Sequence, residues 1–302
     1  MAKKQDDIEQ HVIKPKDIVT VTHMNHMIEV QYMEKMNSKN NIKKLDKNRY
    51  VELATGEIKE FKHSETRKDN YNSLRQTFKK IRYLINNNFT GAKNELHITL
   101  TYAENMTDTK TLYVDFKYFV ERLRTRYKDE SSLDYMCVVE PQGRGAWHCH
   151  MLVRFNDLSE IYIKNADLAE VWGKGFVTIK SLEGNDNIGA YLSAYLADLD
   201  FDSEMDYGSM LKLHGESREI ETKIVDGKEK KFIKGGRLHM YPPGMNLYRK
   251  SKGIVFPERK KMTYENIKKI VGPANPHYEK TYKVEQEDFE NTIHFQQYNL
   301  KR

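Results

Sequence analysis

The segment LDYMCVVEPQGRGAWHCHMLVRF, residues 133–155, holds two runs of strand-forming residues on either side of QGRG (142–145). A short glycine-containing break between such runs is a hairpin signal, so 133–141 and 146–155 are expected to pair antiparallel. Side chains alternate across a strand. His148 and His150, two apart, therefore share one face, and Trp147 points away from them toward a core. Glu140 closes the first run just before the turn, and the hairpin brings it back beside the histidines.

Outward from this hairpin, ELHITLTY (95–102) and GFVTIKSL (175–182) read as two further strands. Helical spacing of apolar residues marks a helix after Ser73, through Leu74, Phe78, Ile81 and Ile85. A second helix runs from Thr111 to Lys128, a third over 165–172 ends at Gly173, and NIGAYLSAYLADL (187–199) is the fourth. RYVELATGEIKEFKH (49–63) alternates about Thr55-Gly56 and reads as another hairpin. Strands and helices alternate, yet one strand pair is antiparallel. The expected class is therefore α+β, a central antiparallel sheet of four to five strands with packed helices. The histidine strand should be central, with helix 187–199 over the same face. Residues 1–45 are polar and read as a weakly structured extension. Residues 46–200 form the main domain, hairpin and first helix included. Residues 201–257 are a basic, aromatic extension suited to contacting DNA, and 258–302 a charged tail with no assignable elements.

Composition narrows the function classes. The 302 residues are 38% hydrophobic and 11% aromatic, enough for a real core and too much for a wholly disordered chain. No apolar run is long enough for a membrane-spanning helix. The start, MAKKQDDIEQHVIKPK, has no apolar signal region, so export is not expected. Cys137 and Cys149 are the only cysteines, which excludes a disulfide scaffold and a four-cysteine zinc site. The expected compartment is the cytoplasm, with both thiols reduced. The net charge of +6 permits a polyanionic partner. Residues 101–200 carry 11 basic and 16 acidic side chains, whereas both flanks are basic. The flanks suit gripping nucleic acid, and the acidic middle suits holding a cation.

Two imidazoles on one face of a core strand need polar partners. A divalent cation would satisfy both, and Glu140 would make a three-ligand site with open positions. The carboxylate favours Mg²⁺ or Mn²⁺, with zinc open. His-x-His alone is a weak pattern, and paired structural histidines are its bland alternative. Tyr191 and Tyr195, four apart, lie on one helix face. Taken alone they are most simply packing residues. A tyrosine hydroxyl, with an ordinary pKa near 10, is a poor nucleophile unless a cation polarises the phosphate it attacks. Metal ligands and a tyrosine pair together point to transesterification of a nucleic-acid backbone through a phosphotyrosine link. Thr99 and Thr101 suit support of the site, and His97 a hydrogen-bonded structural role.

The strand ITLTY (98–102), the His148-Cys149-His150 strand and the Tyr191/Tyr195 helix occur in the order of the three motifs of rolling-circle replication initiators. Over residues 49–257 the chain resembles that group of the HUH endonuclease superfamily. The tyrosine pair is similar to the two-tyrosine branch that includes phage replication proteins, and the wider string to replication proteins of small Gram-positive plasmids and integrated elements. The resemblance implies a metal-dependent, sequence-specific enzyme that nicks and rejoins single-stranded or origin DNA, initiating rolling-circle replication through a 5′-phosphotyrosine. It implies His148, His150 and Glu140 as metal ligands, Tyr191 as nucleophile and Tyr195 as the second tyrosine. Many relatives carry a lysine where this chain has Ala194, and Lys180 is the nearest substitute in sequence. A host helicase and polymerase are the expected partners, since no GxxxxGK[ST] loop is present. A conjugative or mobilisation relaxase would use the same chemistry. A non-catalytic DNA-binding regulator on this fold is the alternative of a different class.

Overall fold

The computed structural model describes residues 3–6, 11–36, 41–61, 71–142, 145–197, 199–200, 220–225, 228–233, 237, 240–242, 244–286 and 289–302. The chain divides into two compact units, one of Met1–Glu65 with Pro257–Arg302 and one of Thr66–Phe256. Among the described residues no helix is long and apolar enough to cross a membrane.

The second unit is the α+β body expected from the sequence. Its five-stranded sheet runs Gly175–Ser181, Glu95–Tyr102, Trp147–Phe155, Leu133–Pro141, Tyr248–Lys250, with every neighbouring pair antiparallel. The histidine strand is thus the middle one. Register places Thr101 opposite His148, Thr99 opposite His150, and Glu140 opposite His148 on the other side. The opposite face carries Leu96, Ile98, Leu100 and Tyr102, with Trp147, Cys149, Met151, Val153 and Phe155, all buried. Helix Thr109–Arg126 contributes Phe116 and Phe119 to that layer, and helix Asn165–Trp172 contributes Trp172; their rings meet one another and those of Tyr102 and Tyr135. Asp108 caps the longer helix by accepting from the Lys110 and Thr111 amides at 3.0 Å each. Gly173 ends the shorter one with φ +65°. Trp147 packs as expected, its Nε1–H donating to Thr107 O at 3.0 Å. Cys137 and Cys149 are buried free thiols.

Helix Tyr71–Asn88 and helix Ile188–Ala197 pack on each other on the histidine side. Ile188, Leu192 and Leu196, one helical turn apart, are the buried stripe of the second of these helices. The fifth strand, Tyr248–Lys250, comes from the stretch read as a DNA-contacting extension. Tyr241 of that stretch is 1% exposed, so it serves the core and is not a surface platform. The remainder of 201–236 that the sequence reading assigned to this extension falls largely outside the described residues.

The first unit departs from expectation. Residues 1–45 and 258–302, read as weakly structured or unassignable, supply all six strands of one antiparallel sheet. Its order is Lys3–Asp6, Tyr278–Gln286, Phe289–Asn299, Met27–Met33, Ile18–Met24, Arg259–Thr263. Helix Tyr264–Val271 packs Ile267 and Val271 against Val19, Val21, Ile28 and Val30. The hairpin predicted within 49–63 forms, as Arg49–Glu52 with Ile58–Glu60, but it groups with this unit. The physical reason is that several buried positions of this sheet are polar and pair with each other, so hydropathy does not reveal them. Gln297 Nε2 donates to Glu29 Oε1 at 3.0 Å, and Gln296 Nε2 to Glu279 Oε1 at 2.7 Å. The hydroxyls of Tyr264 and Tyr298 both donate to Gln296 Oε1.

Candidate active site

Three strands and one helix bring the site together. Glu140, His148 and His150 gather so that one ligand atom from each lies within 4.8 Å of the others. Glu140 and His150 are 5% and 3% exposed. A carboxylate and two imidazoles this close, at one end of a sheet, fit a divalent cation by donor chemistry. His150 turns Nε2 directly onto Glu140 Oε2.

His150 is aimed from behind. Its Nδ1 lies 3.1 Å from His97 Nε2 and 3.3 Å from Thr99 Oγ1. Burial, with help from the charges of His150 and Lys180, lowers the pKa of His97 from 6.5 to about 3. His97 is therefore neutral at physiological pH, and its Nε2 can accept the Nδ1–H of His150. That leaves His150 Nε2 on the ligand side, the usual arrangement in which an outer partner fixes the tautomer of a ligating histidine. His97 and Thr99 thus take the structural and supporting roles expected of them.

Glu140 has its own orienting partner. Arg237 Nη1 stands 2.5 Å from Glu140 Oε1 and donates to Pro141 O at 2.7 Å. Burial would raise the pKa of Glu140, but His150, Arg237 and His148 outweigh it and hold the carboxyl below the usual range. The group is an anion at neutral pH, as a ligand must be. The sequence reading did not single out Arg237. No local signal marks it, because its partner lies almost a hundred residues away.

The tyrosine helix is seated by contacts that converge on its two ends. Asn187 caps it, accepting from Ala190 N at 3.1 Å. Asn86, 2% exposed, accepts from Gly189 N at 2.8 Å. A Cβ at position 189 would stand 2.5 Å from Asn86 Oδ1, so this approach needs glycine. At the far end the Tyr241 hydroxyl lies 3.0 Å from Leu196 O and 3.1 Å from Val139 O, bridging helix to strand. So held, the helix sets the Tyr191 ring edge-on to His97, with centroids 5.7 Å apart. The rings of His97 and His150 are 5.3 Å apart, and those of His150 and His148 6.3 Å. Tyr191, His97, His150 and His148 therefore form one chain of rings on one face of the sheet. Tyr195 follows one helical turn later, and its side chain lies outside the described residues.

This arrangement sets a phenol beside a buried acidic and imidazole cluster at the end of a sheet, which suits phosphate chemistry. No curated protein matches the chain. Residues 95–200, the span that contains His97, Glu140, His148, His150 and Tyr191, match the ORF2 family of replication-associated proteins.

Proposed function

We propose that this protein is a metal-dependent, sequence-specific enzyme that nicks and rejoins single-stranded DNA to initiate rolling-circle replication, working through a 5′-phosphotyrosine. The observation that carries the reading is the ring chain from Tyr191 through His97 to His150, which puts a nucleophile and a ligand cluster on one face. The match of residues 95–200 to a replication-associated family supports DNA as the substrate.

Glu140, His148 and His150 would hold a divalent cation, Mg²⁺ or Mn²⁺, whose contribution is to offset the negative charge of the scissile phosphate. The protein's own residues do the rest. Arg237 and His97 fix the ligand orientations, so little reorganisation is left for the moment of reaction. The Tyr191 oxygen attacks phosphorus, the bond to the 3′ oxygen breaks, the phenolic proton is lost to solvent and the leaving oxygen is protonated. The product is a phosphodiester between Tyr191 and the 5′ end, with a free 3′ hydroxyl to prime synthesis. Tyr195 is the second tyrosine, used for strand closure. Host helicase and polymerase would extend the fork.

The test is incubation of labelled single-stranded origin DNA with Mn²⁺, followed by a denaturing gel. The wild-type protein should yield a protein-linked fragment and Tyr191→Phe none. His148→Ala should lose nicking while keeping DNA binding. Undiminished nicking by His148→Ala would remove the metal from the mechanism.

A further inference from the structure

A cleft of about 350 Å³ opens beside Tyr191, lined by His97, Lys180, Leu182, Asn185, Asp186 and the tyrosine ring. It lies apart from the side chains of Glu140, His148 and His150, and the ligand cluster leaves it unexplained. Its volume is at the low end for small-ligand sites, about 300–1,000 Å³. That is room for one nucleotide and too little for a longer stretch of chain.

The walls are built from different parts of the sequence. Lys180 lies opposite His97 in the sheet register and so shares the histidine face. The outer wall is the turn from Leu182 to Asp186, closed by Asn185 N donating to Leu182 O at 3.2 Å and anchored by Leu182, 2% exposed. Gly91 presses on this turn from outside. With φ +80°, its Cβ would stand 2.8 Å from Leu182 O and 3.2 Å from Asn185 O, so the wall is braced backbone to backbone.

The lining matches the parts of a nucleotide. An ammonium on one side suits a phosphate. Leu182 and the tyrosine ring suit a flat base, and Asn185 and Asp186 offer hydrogen-bonding groups to its edge. Resting on the reading of Tyr191 as nucleophile, we propose that this cleft holds the nucleotide next to the scissile bond, with its phosphate on Lys180 and its base against the 182–186 turn. Lys180 is then the residue on the neighbouring strand that supplies positive charge to a tyrosine helix lacking any of its own. The same turn gives the enzyme sequence preference at one position.

The experiment uses the full-length protein and a labelled random single-stranded 30-mer, with binding followed by anisotropy over a KCl series. Lys180→Gln should weaken binding about tenfold, the worth of one charge-assisted contact, and flatten the salt dependence by about 0.7 in slope. Lys180→Arg should restore both. Asp186→Asn should leave the salt slope unchanged and alter the base preferred at a single position among the bound sequences. Equal slopes for wild type and Lys180→Gln, or an unchanged base profile for Asp186→Asn, would overturn the proposal. Covalent adduct is scored on the same samples. Adduct without Lys180 dependence sinks the cleft and spares the tyrosine chemistry, whereas Lys180-dependent binding without adduct supports the cleft and sinks the chemistry. No binding by the wild type sinks both.

Discussion

Mild acid should destabilise this protein through His97 in particular. An unfolded chain titrates this imidazole at its ordinary 6.5, whereas the folded protein keeps it neutral until about 3. Between those values the unfolded state binds the extra proton, so the stability is intact above pH 6.5 and declines as pH falls toward 3. At pH 5 the unfolded chain lies 1.5 pH units below its own midpoint, which is worth about 2 kcal/mol at ~1.36 kcal/mol per unit. This figure depends only on the unfolded value, because the folded midpoint lies well below pH 5. For a unit of this size each kcal/mol moves Tm by about 2–4 °C, so the expected loss is about 4–8 °C. The control is His97→Gln, which keeps an acceptor for His150 Nδ1–H and cannot titrate. Calorimetry at pH 7 and pH 5 on both proteins cancels the groups they share. Wild type should lose about 4–8 °C more than the variant. Equal losses would mean that His97 is not buried as a neutral acceptor, and the account of how His150 is oriented would fail with it.

Arg237→Met removes the guanidinium beside a buried carboxylate and should cost about 3–5 kcal/mol in urea unfolding. Millimolar Mn²⁺ should reduce that loss, because a cation on Glu140 restores the compensation; an equal loss with and without Mn²⁺ would separate Glu140 from any ion. Gly189→Ala drives a methyl into Asn86 and should cost about 1–3 kcal/mol while lowering the yield of covalent adduct; an unchanged Tm would show that the tyrosine helix is not seated on Asn86. Tyr241→Phe leaves the carbonyls of Val139 and Leu196 without their shared donor and should lower Tm by an amount matching about 1–3 kcal/mol, with wild-type stability as the refuting result.

The features legible in the sequence are those set by local pattern. Period-two alternation placed His148 and His150 on one face and Trp147 on the other, and a four-residue turn was enough to return Glu140 to them. Period-3.6 spacing found the helices within a few residues, because Ile188, Leu192 and Leu196 or Phe116, Phe119 and Leu123 have no other reason to recur so. What stayed hidden depends on long-range pairing. Arg237 reaches Glu140, and Asn86 reaches Gly189, across about a hundred residues, with nothing nearby to announce either contact. The terminal sheet escaped for a second reason. Gln296, Gln297, His294 and Glu29 are buried there yet polar, satisfied by each other and by Glu279, so a hydropathy pattern reads them as surface.

The clasp formed by Arg237 and Tyr241 bears on the order in which the molecule becomes competent. A ribosome that has finished residue 200 has already made both histidines, Glu140 and Tyr191, the whole of the family-matched span. The nascent chain at that stage still lacks the guanidinium for its carboxylate and the hydroxyl that ties Leu196 to Val139. An excised 95–200 fragment would share those deficiencies and would also lose Asn86. Cutting ability therefore arrives late in synthesis, and a protein interrupted midway is spared from attacking DNA with a half-assembled blade.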